Sequence, residues 1–186
     1  MMNLSNGITL LRLLLTVFFV MVLSIASPWS DCVALGTFAL AALTDWLDGY
    51  VARRYQICTN FGRLIDPLAD KILVAAALIS LIPFNAFPSW VVIIIIAREF
   101  LVTGLRLLAV DRGIILAADS LGKQKTFWQL VTILFYLFLL AVGDFSHGAW
   151  ILWAWTTIGP LLIGITLFLT IYSGIAYLWN NRTLLE

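Results

Sequence analysis

Four aspartates lie close together in a sequence that is otherwise strongly apolar. Asp45 and Asp48 are three residues apart, Asp66 and Asp70 are four residues apart, and all four fall within 26 residues. A carboxylate in an apolar segment is costly unless it has a partner, so each aspartate is a candidate functional residue. Four of them together predict a shared cation, and their hard oxygen ligands favour Mg²⁺, Mn²⁺ or Ca²⁺ over a soft metal.

The spacing predicts that the two pairs lie on two helices. Asp45 and Asp48 stand at i and i+3 near the end of an apolar run, so both project from one helical face. Asp66 precedes Pro67, and this pair is typical of a helix start, with Asp66 at the cap and Pro67 at the first helical position. We therefore expect two helices to meet near one membrane interface, each with two carboxylates.

The composition is that of a membrane protein. The chain has 186 residues, of which 62% are hydrophobic and 11% are charged, and its mean hydropathy is +1.03. About 20 apolar residues are enough to cross a bilayer, and six runs are near that length or longer, at 7–26, 33–52, 67–84, 89–109, 124–142 and 150–179. The last is too long for one straight crossing, so a kink at Pro160 or a tilted helix is expected.

These runs predict one domain over residues 1–186. Its expected fold is that of an all-α integral membrane protein, with six transmembrane helices and a polar cavity open to the cytoplasmic interface. The net charge of +1 does not point to a nucleic-acid partner.

Basic residues concentrate in alternate connections between the apolar runs. Segments 27–32, 83–89 and 143–149 contain no Lys or Arg. By the positive-inside rule, both termini and the aspartates lie on the cytoplasmic side of a bacterial-type cytoplasmic membrane. The basic residues that carry this argument are Arg12 near the amino end, Arg182 near the carboxyl end, and Arg53, Arg54, Arg63, Lys71, Arg106, Arg112, Lys123 and Lys125 in or beside the connections.

The aspartates belong to a longer pattern, Asp45-x₂-Asp48-Gly49-x₂-Ala52-Arg53-x₈-Gly62-x₃-Asp66-x₃-Asp70. The pattern resembles the signature of the CDP-alcohol phosphotransferase family at every fixed position. The six-run layout extends the resemblance over nearly the whole chain. In that family, a CDP-linked alcohol gives its phosphoryl-alcohol part to a second alcohol, and CMP is released.

The resemblance also implies roles for the residues of the pattern. The four aspartates would hold one or two divalent ions, Mg²⁺ or Mn²⁺, at the pyrophosphate, and Asp70 would be the general base. A carboxylate can accept the proton of an attacking hydroxyl, and a guanidinium group matches a phosphate. The residues that would hold the CDP moiety are Gly49, Ala52, Arg53 and Gly62.

A second group of residues bears on the identity of the acceptor. Arg98 and Arg106 lie in the fourth apolar run, about 12 Å and about 80° apart on a helix, so both can face one cavity. Lys123 and Lys125 follow at the start of the fifth run. Together the four predict a pocket for a phosphate-bearing acceptor. Glu99 has a simpler interpretation as the internal ion-pair partner of Arg98.

The letters around these residues, A-R-E-F-L-V-T-G-L-R and L-G-K-Q-K-T, resemble the phosphatidylglycerophosphate synthase branch of the family. This implies that CDP-diacylglycerol and sn-glycerol 3-phosphate give phosphatidylglycerol phosphate and CMP. Within the family, inositol phosphate and phosphatidylglycerol (as in a cardiolipin synthase) stay open as acceptors. From another class, a cation transporter is the alternative, although its acidic residues would be expected near the bilayer midplane.

The amino-terminal segment resembles the opening of the family, with Ser5 where the family commonly has Pro. Asn6, Thr9 and Arg12 are candidate contacts to the donor phosphates, although Asn6 is equally well interpreted as a helix cap. Because homodimers are common in the family, a homodimer surrounded by membrane lipid is expected.

Overall fold

The computed structural model describes residues 4–25, 27, 29–55, 60–111, 120–143, 145 and 148–182. For residues 4–6, 8, 45–55, 60–68, 70, 110, 111 and 120, it describes the backbone alone. The regular elements of these residues are helical, which confirms the all-α prediction. They are α1 (Leu4–Leu23), α2 (Ser30–Tyr55), α3 (Asn60–Ser80), α4 (Ser89–Asp111), α5 (Ser120–Gly143), α6 (Ala149–Trp153), a π-helical turn (Ala154–Ile158) and α7 (Gly159–Asn180).

The start of α3 differs from the sequence prediction. The helix begins at Asn60, so Asp66 and Pro67 lie inside it, and the predicted helix start at Asp66 is wrong. Asparagine is itself a favoured residue at a helix start. A proline inside a helix removes one backbone hydrogen bond, and this 21-residue helix continues on both sides of Pro67.

The last apolar run forms a continuous helical segment made of α6, the π-helical turn and α7. Pro160 lies in the first turn of α7, directly after the π-helical turn. Proline has no N–H for the carbonyl of Thr156, and its ring crowds that carbonyl, so a local change of helical pitch is expected here. Gly159 is also required, because a Cβ atom there would lie 2.2 Å from the hydroxyl oxygen of Tyr136.

The helices pack into one bundle. Helix α1 lies against α2 and α3, α5 lies against α2 and α7, and α4 lies against α7 and α3. Buried aromatic rings contribute to this packing. The rings of Phe19 on α1 and Phe38 on α2 are 5.6 Å apart between centroids, and those of Phe87, just before α4, and Tyr136 on α5 are 5.4 Å apart. This packing brings together the middle of α3, the middle of α4, the start of α5 and the second half of α7.

The outer surface of the bundle is strongly apolar. Large side chains such as Leu14, Ile93 and Phe168 are 61%, 65% and 66% exposed. Apolar surface of this extent is unusual for a protein in water and suits contact with lipid chains. Among the described helices, Leu121–Gly143 and Ala149–Asn180 are long and apolar enough to cross a bilayer.

Candidate active site

A cavity of about 500 Å³ opens between α3, α4, α5 and α7, a volume typical of small-molecule sites. Three residues predicted for the acceptor pocket, Arg98, Arg106 and Lys123, line this cavity. Lys71 adds a fourth cation to the cavity wall. The only carboxylate among the described lining residues is that of Glu99, so positive charge is in excess and the cavity favours an anionic ligand. The other lining residues are Val102, Thr103, Gly122, Thr126, Phe127, Leu130 and Tyr177.

Glu99 is the centre of an ion-pair cluster that joins three helices. Lys71 on α3 donates a hydrogen bond to its Oε2 atom at 2.6 Å, and Lys125 on α5 donates to its Oε1 atom. The Nη1 atom of Arg98 lies 3.5 Å from the same Oε1 atom. The Arg98–Glu99 ion pair, which the sequence offered as an alternative interpretation, is therefore present, within a larger cluster. The carboxylate also holds the lysine ammonium groups in fixed positions.

Lys125 does not lie in the cavity wall with the other predicted basic residues. Its side chain is completely buried, and its ammonium group contacts Glu99. The geometry of a helix explains the difference, because Lys123 and Lys125 are two residues apart and so point about 200° apart around α5. Lys123 faces the cavity, whereas Lys125 points into the bundle.

Helix α7 holds the guanidinium group of Arg98. The Nη2 atom of Arg98 donates a hydrogen bond to Ser173 Oγ at 3.1 Å, and Gly174 lies beside the aliphatic part of the arginine side chain. A Cβ atom at Gly174 would be 3.1 Å from Arg98 Cγ, so even a methyl group would crowd the arginine. The orientation of Arg98 therefore depends on a small polar residue and a glycine from a distant part of the sequence.

The four aspartates lie on the backbones of α2 and α3, which contact each other. Their side chains lie outside the described part of the structure, as do those of the predicted CDP-binding residues Gly49, Ala52, Arg53 and Gly62. Among the side chains that are described, no three His, Cys, Asp or Glu residues come together. Lys71 follows Asp70 directly in the sequence, so the basic cavity borders the helix that carries the second aspartate pair.

The amino-terminal candidates lie on α1. Thr9 and Arg12 are buried, at 3% and 2% exposure, and Thr16 donates a hydrogen bond to the carbonyl oxygen of Arg12 at 2.8 Å. The side chain of Asn6 lies outside the described residues. Contact of these residues with the donor phosphates stays a prediction.

Two cavity residues, Lys71 and Tyr177, were not among those predicted from the sequence pattern. In the sequence, Lys71 is one of the basic residues of a connection, and its position next to Asp70 is the feature that indicates a place near the active site. Tyr177 belongs to a buried face of α7, whose residues recur every three or four positions along the helix. A polar face inside an apolar run is a signal for an inward-facing surface, and its members are Thr166, Thr170, Ser173, Gly174 and Tyr177.

Comparison with known proteins identifies the family. Residues 2–172 match the model of the CDP-alcohol phosphatidyltransferase family, and the chain belongs to this family. It is therefore a helical membrane protein and a phosphatidyltransferase of phospholipid synthesis. This family assignment favours the transferase prediction over the cation transporter.

The chain is similar over nearly its whole length to curated members of that family. It is 37% identical to a CDP-diacylglycerol–glycerol-3-phosphate 3-phosphatidyltransferase of Bacillus subtilis, over 97% of this chain and 96% of the relative. It is 35% identical to the protein of the same name in Rickettsia bellii, over 94% and 93%. It is 38% identical to a probable phosphatidylglycerophosphate synthase of Mycobacterium tuberculosis, over 94% and 79%.

Proposed function

We propose that the chain transfers the phosphatidyl group of CDP-diacylglycerol to sn-glycerol 3-phosphate, giving phosphatidylglycerol phosphate and CMP. The observation that carries this proposal is a cavity lined by Arg98, Arg106 and Lys123, in a chain whose near-full-length relatives are named for the same reaction. A water-soluble phosphorylated alcohol needs a basic cavity that opens to the water phase, whereas a lipid acceptor such as phosphatidylglycerol has less need of one. The polar acceptor reaches the cavity from the water phase, and the acyl chains of the donor stay in the bilayer.

In this proposal, the basic side chains bind the phosphate of the acceptor. Arg98 is held by Ser173, and Arg106 and Lys123 are exposed on the cavity wall. Arginine presents a planar fork to phosphate oxygens, and lysine adds a compact charge. Lys125 acts indirectly, because its ion pair with Glu99 fixes the carboxylate that also holds Lys71. The glycerol hydroxyl is then directed towards α3.

The positions of the aspartates along their helices support a shared site. Asp48 lies seven residues before the end of α2, and Asp66 lies six residues after the start of α3. Asp45 and Asp70 are each ten residues from the same ends. Since only residues 56–59 separate two helices in contact, nearly equal separations from the connection put the pairs at similar levels along the two helices.

The chemistry of this donor set fits a divalent cation, Mg²⁺ or Mn²⁺. Asp45, Asp48, Asp66 and Asp70 offer only hard carboxylate oxygens, which these ions prefer. Such an ion, when bound, neutralises charge on the pyrophosphate and on the departing CMP. The protein itself supplies the positioning of the two substrates and the base.

Asp70 accepts the proton of the glycerol hydroxyl as that oxygen forms a bond to the β-phosphorus of the donor. The bond from this phosphorus to the oxygen of CMP breaks, and CMP leaves with the bonding electron pair. Most of the catalysis in phosphoryl transfer comes from positioning and electrostatics, which this arrangement provides. The CDP moiety is held by Gly49, Ala52, Arg53 and Gly62, with Asn6, Thr9 and Arg12 as further candidate contacts on α1.

The proposed topology has six membrane crossings, with both termini and the active site on the cytoplasmic side. Support comes from the absence of Lys and Arg in segments 27–32, 83–89 and 143–149. We also propose a homodimer. Cysteine substitutions in these segments, labelled in intact cells by a membrane-impermeant reagent, test the orientation, and light scattering in detergent tests the dimer.

The activity is tested with the purified protein in detergent, Mg²⁺ and CDP-diacylglycerol. Glycerol 3-phosphate, inositol phosphate, serine and phosphatidylglycerol are offered separately, and CMP release is measured. We expect release with glycerol 3-phosphate, and its loss when a chelator removes the divalent ion. Release only with a different acceptor would contradict the proposed substrate, and no release with any acceptor would contradict the proposed activity.

A further inference from the structure

Tyr177 has a buried hydroxyl group with no hydrogen-bond partner among the described residues. The residue lies near the end of α7, is 4% exposed, and belongs to the wall of the basic cavity. Buried tyrosines normally pair their hydroxyl groups, and a buried polar atom without a partner is uncommon in a folded protein. The hydroxyl group is therefore a candidate for contact with a ligand.

Arg98 has a second unpaired donor at the same cavity. Its Nη2 atom bonds to Ser173, but its buried Nε atom has no partner among the described residues. Ser173 and Tyr177 are four residues apart on α7, so they share one face of that helix. The face that orients Arg98 therefore also carries the tyrosine.

We propose that the Tyr177 hydroxyl group donates a hydrogen bond to a phosphate oxygen of the acceptor, beside Arg98. This inference rests on the proposed function and adds a residue to its acceptor site. One anion with several acceptor oxygens satisfies both unpaired donors, and hydrogen bonds to charged oxygens are the stronger ones. Tyr177 lies beyond residues 2–172, the part matched by the family model, so the family match does not assign it this role.

The test is the variant Tyr177→Phe, which removes one oxygen atom and leaves the ring in place. We expect KM for glycerol 3-phosphate to rise about tenfold, as for a lost hydrogen bond to a charged group. KM for CDP-diacylglycerol should stay within about twofold, because the contact is made to the other substrate. Thermal stability should be unchanged or higher, since no hydrogen bond within the described protein is lost. Tyr172→Phe is the matched control, because Tyr172 is 53% exposed on the same helix.

Inorganic phosphate tests whether the contact is made to the phosphate group. It should inhibit competitively against glycerol 3-phosphate, and Tyr177→Phe should weaken this inhibition by the same factor by which KM rises. An unchanged KM would overturn the inference. A raised KM with unchanged phosphate inhibition would overturn the assignment to the phosphate.

A separate measurement distinguishes this inference from the proposed function. If the wild-type protein releases no CMP with glycerol 3-phosphate, the proposed function fails. Stabilisation of the wild-type protein by inorganic phosphate in thermal unfolding, reduced in Tyr177→Phe but not in Tyr172→Phe, would still support the contact. Equal stabilisation of all three proteins would refute it.

Discussion

The ammonium group of Lys125 on α5 lies against the carboxylate of Glu99 on α4, with no part of the lysine side chain exposed. Lys71 and Arg98 contact the same carboxylate, so one acidic group is the counter-ion of three cations from three helices. Glu99 therefore links the helix that carries Asp70 to the basic cavity.

The cluster predicts unequal effects on stability. Glu99→Gln leaves a buried lysine without its carboxylate and should lower the free energy of unfolding by about 3–5 kcal/mol. Lys125→Met should cost less, because Glu99 keeps two cationic partners and methionine fills the apolar space. Unfolding in detergent, followed by circular dichroism, measures both. If Lys125→Met lowered the free energy of unfolding more than Glu99→Gln, Glu99 would not be the central residue of the ion-pair cluster.

The packing of Gly174 against Arg98 predicts an effect on the acceptor. In Gly174→Ala, the new Cβ atom would lie 3.1 Å from Arg98 Cγ, so the arginine side chain must move by a few tenths of an ångström, which changes the geometry of its contact with Ser173. We expect KM for glycerol 3-phosphate to rise by roughly threefold to tenfold, since small displacements of a positioning group are costly. Gly164→Ala is the control on the same helix, because nothing lies within 4 Å of its added atom. Equal kinetics in the two variants would contradict the role assigned to this packing.

Arg106 and Arg182 offer a matched comparison of two exposed arginines. Arg106 lines the cavity, whereas Arg182 lies over the ring of Trp179 at 5.5 Å. Arg106→Ala should raise KM for glycerol 3-phosphate by roughly tenfold to a hundredfold, as for lost bonds to a charged group. Arg182→Ala should leave the kinetics unchanged. Steady-state rates with each substrate varied in turn provide the measurement, and an equal rise in both KM values for Arg106→Ala would argue against an acceptor contact.

The proposed base is tested by Asp70→Asn. Asparagine has nearly the same shape but cannot accept the proton, so we expect kcat to fall by about 10²–10⁴-fold or more. The thermal unfolding temperature should change little. Asp31→Asn, at the other end of α2 from the aspartate pattern, is the control and should stay active. Activity close to wild type in Asp70→Asn would exclude it as the base.

The acceptor cavity was only partly predictable. Arg98 and Arg106 are eight residues apart in one run, and helical geometry alone predicted that they share a cavity. Lys123 and Lys125 are close in sequence, and for that reason both were predicted to line the pocket. Residues two positions apart on a helix, however, point in nearly opposite directions. Tyr177 was missed because an apolar run of that length gives no indication of which helix it will contact.

By itself, the sequence determined the reaction class and the all-helical fold. The aspartate pattern depends on spacing within two neighbouring segments, and the apolar runs follow from composition, so neither needs long-range packing to be recognised. Only the tertiary structure decided which side chains share the cavity and that Lys125 faces Glu99 inside the bundle. The reason is physical: Lys71, Glu99, Lys125 and Ser173 lie on four different helices, and the rotation and packing of those helices decide which atoms meet.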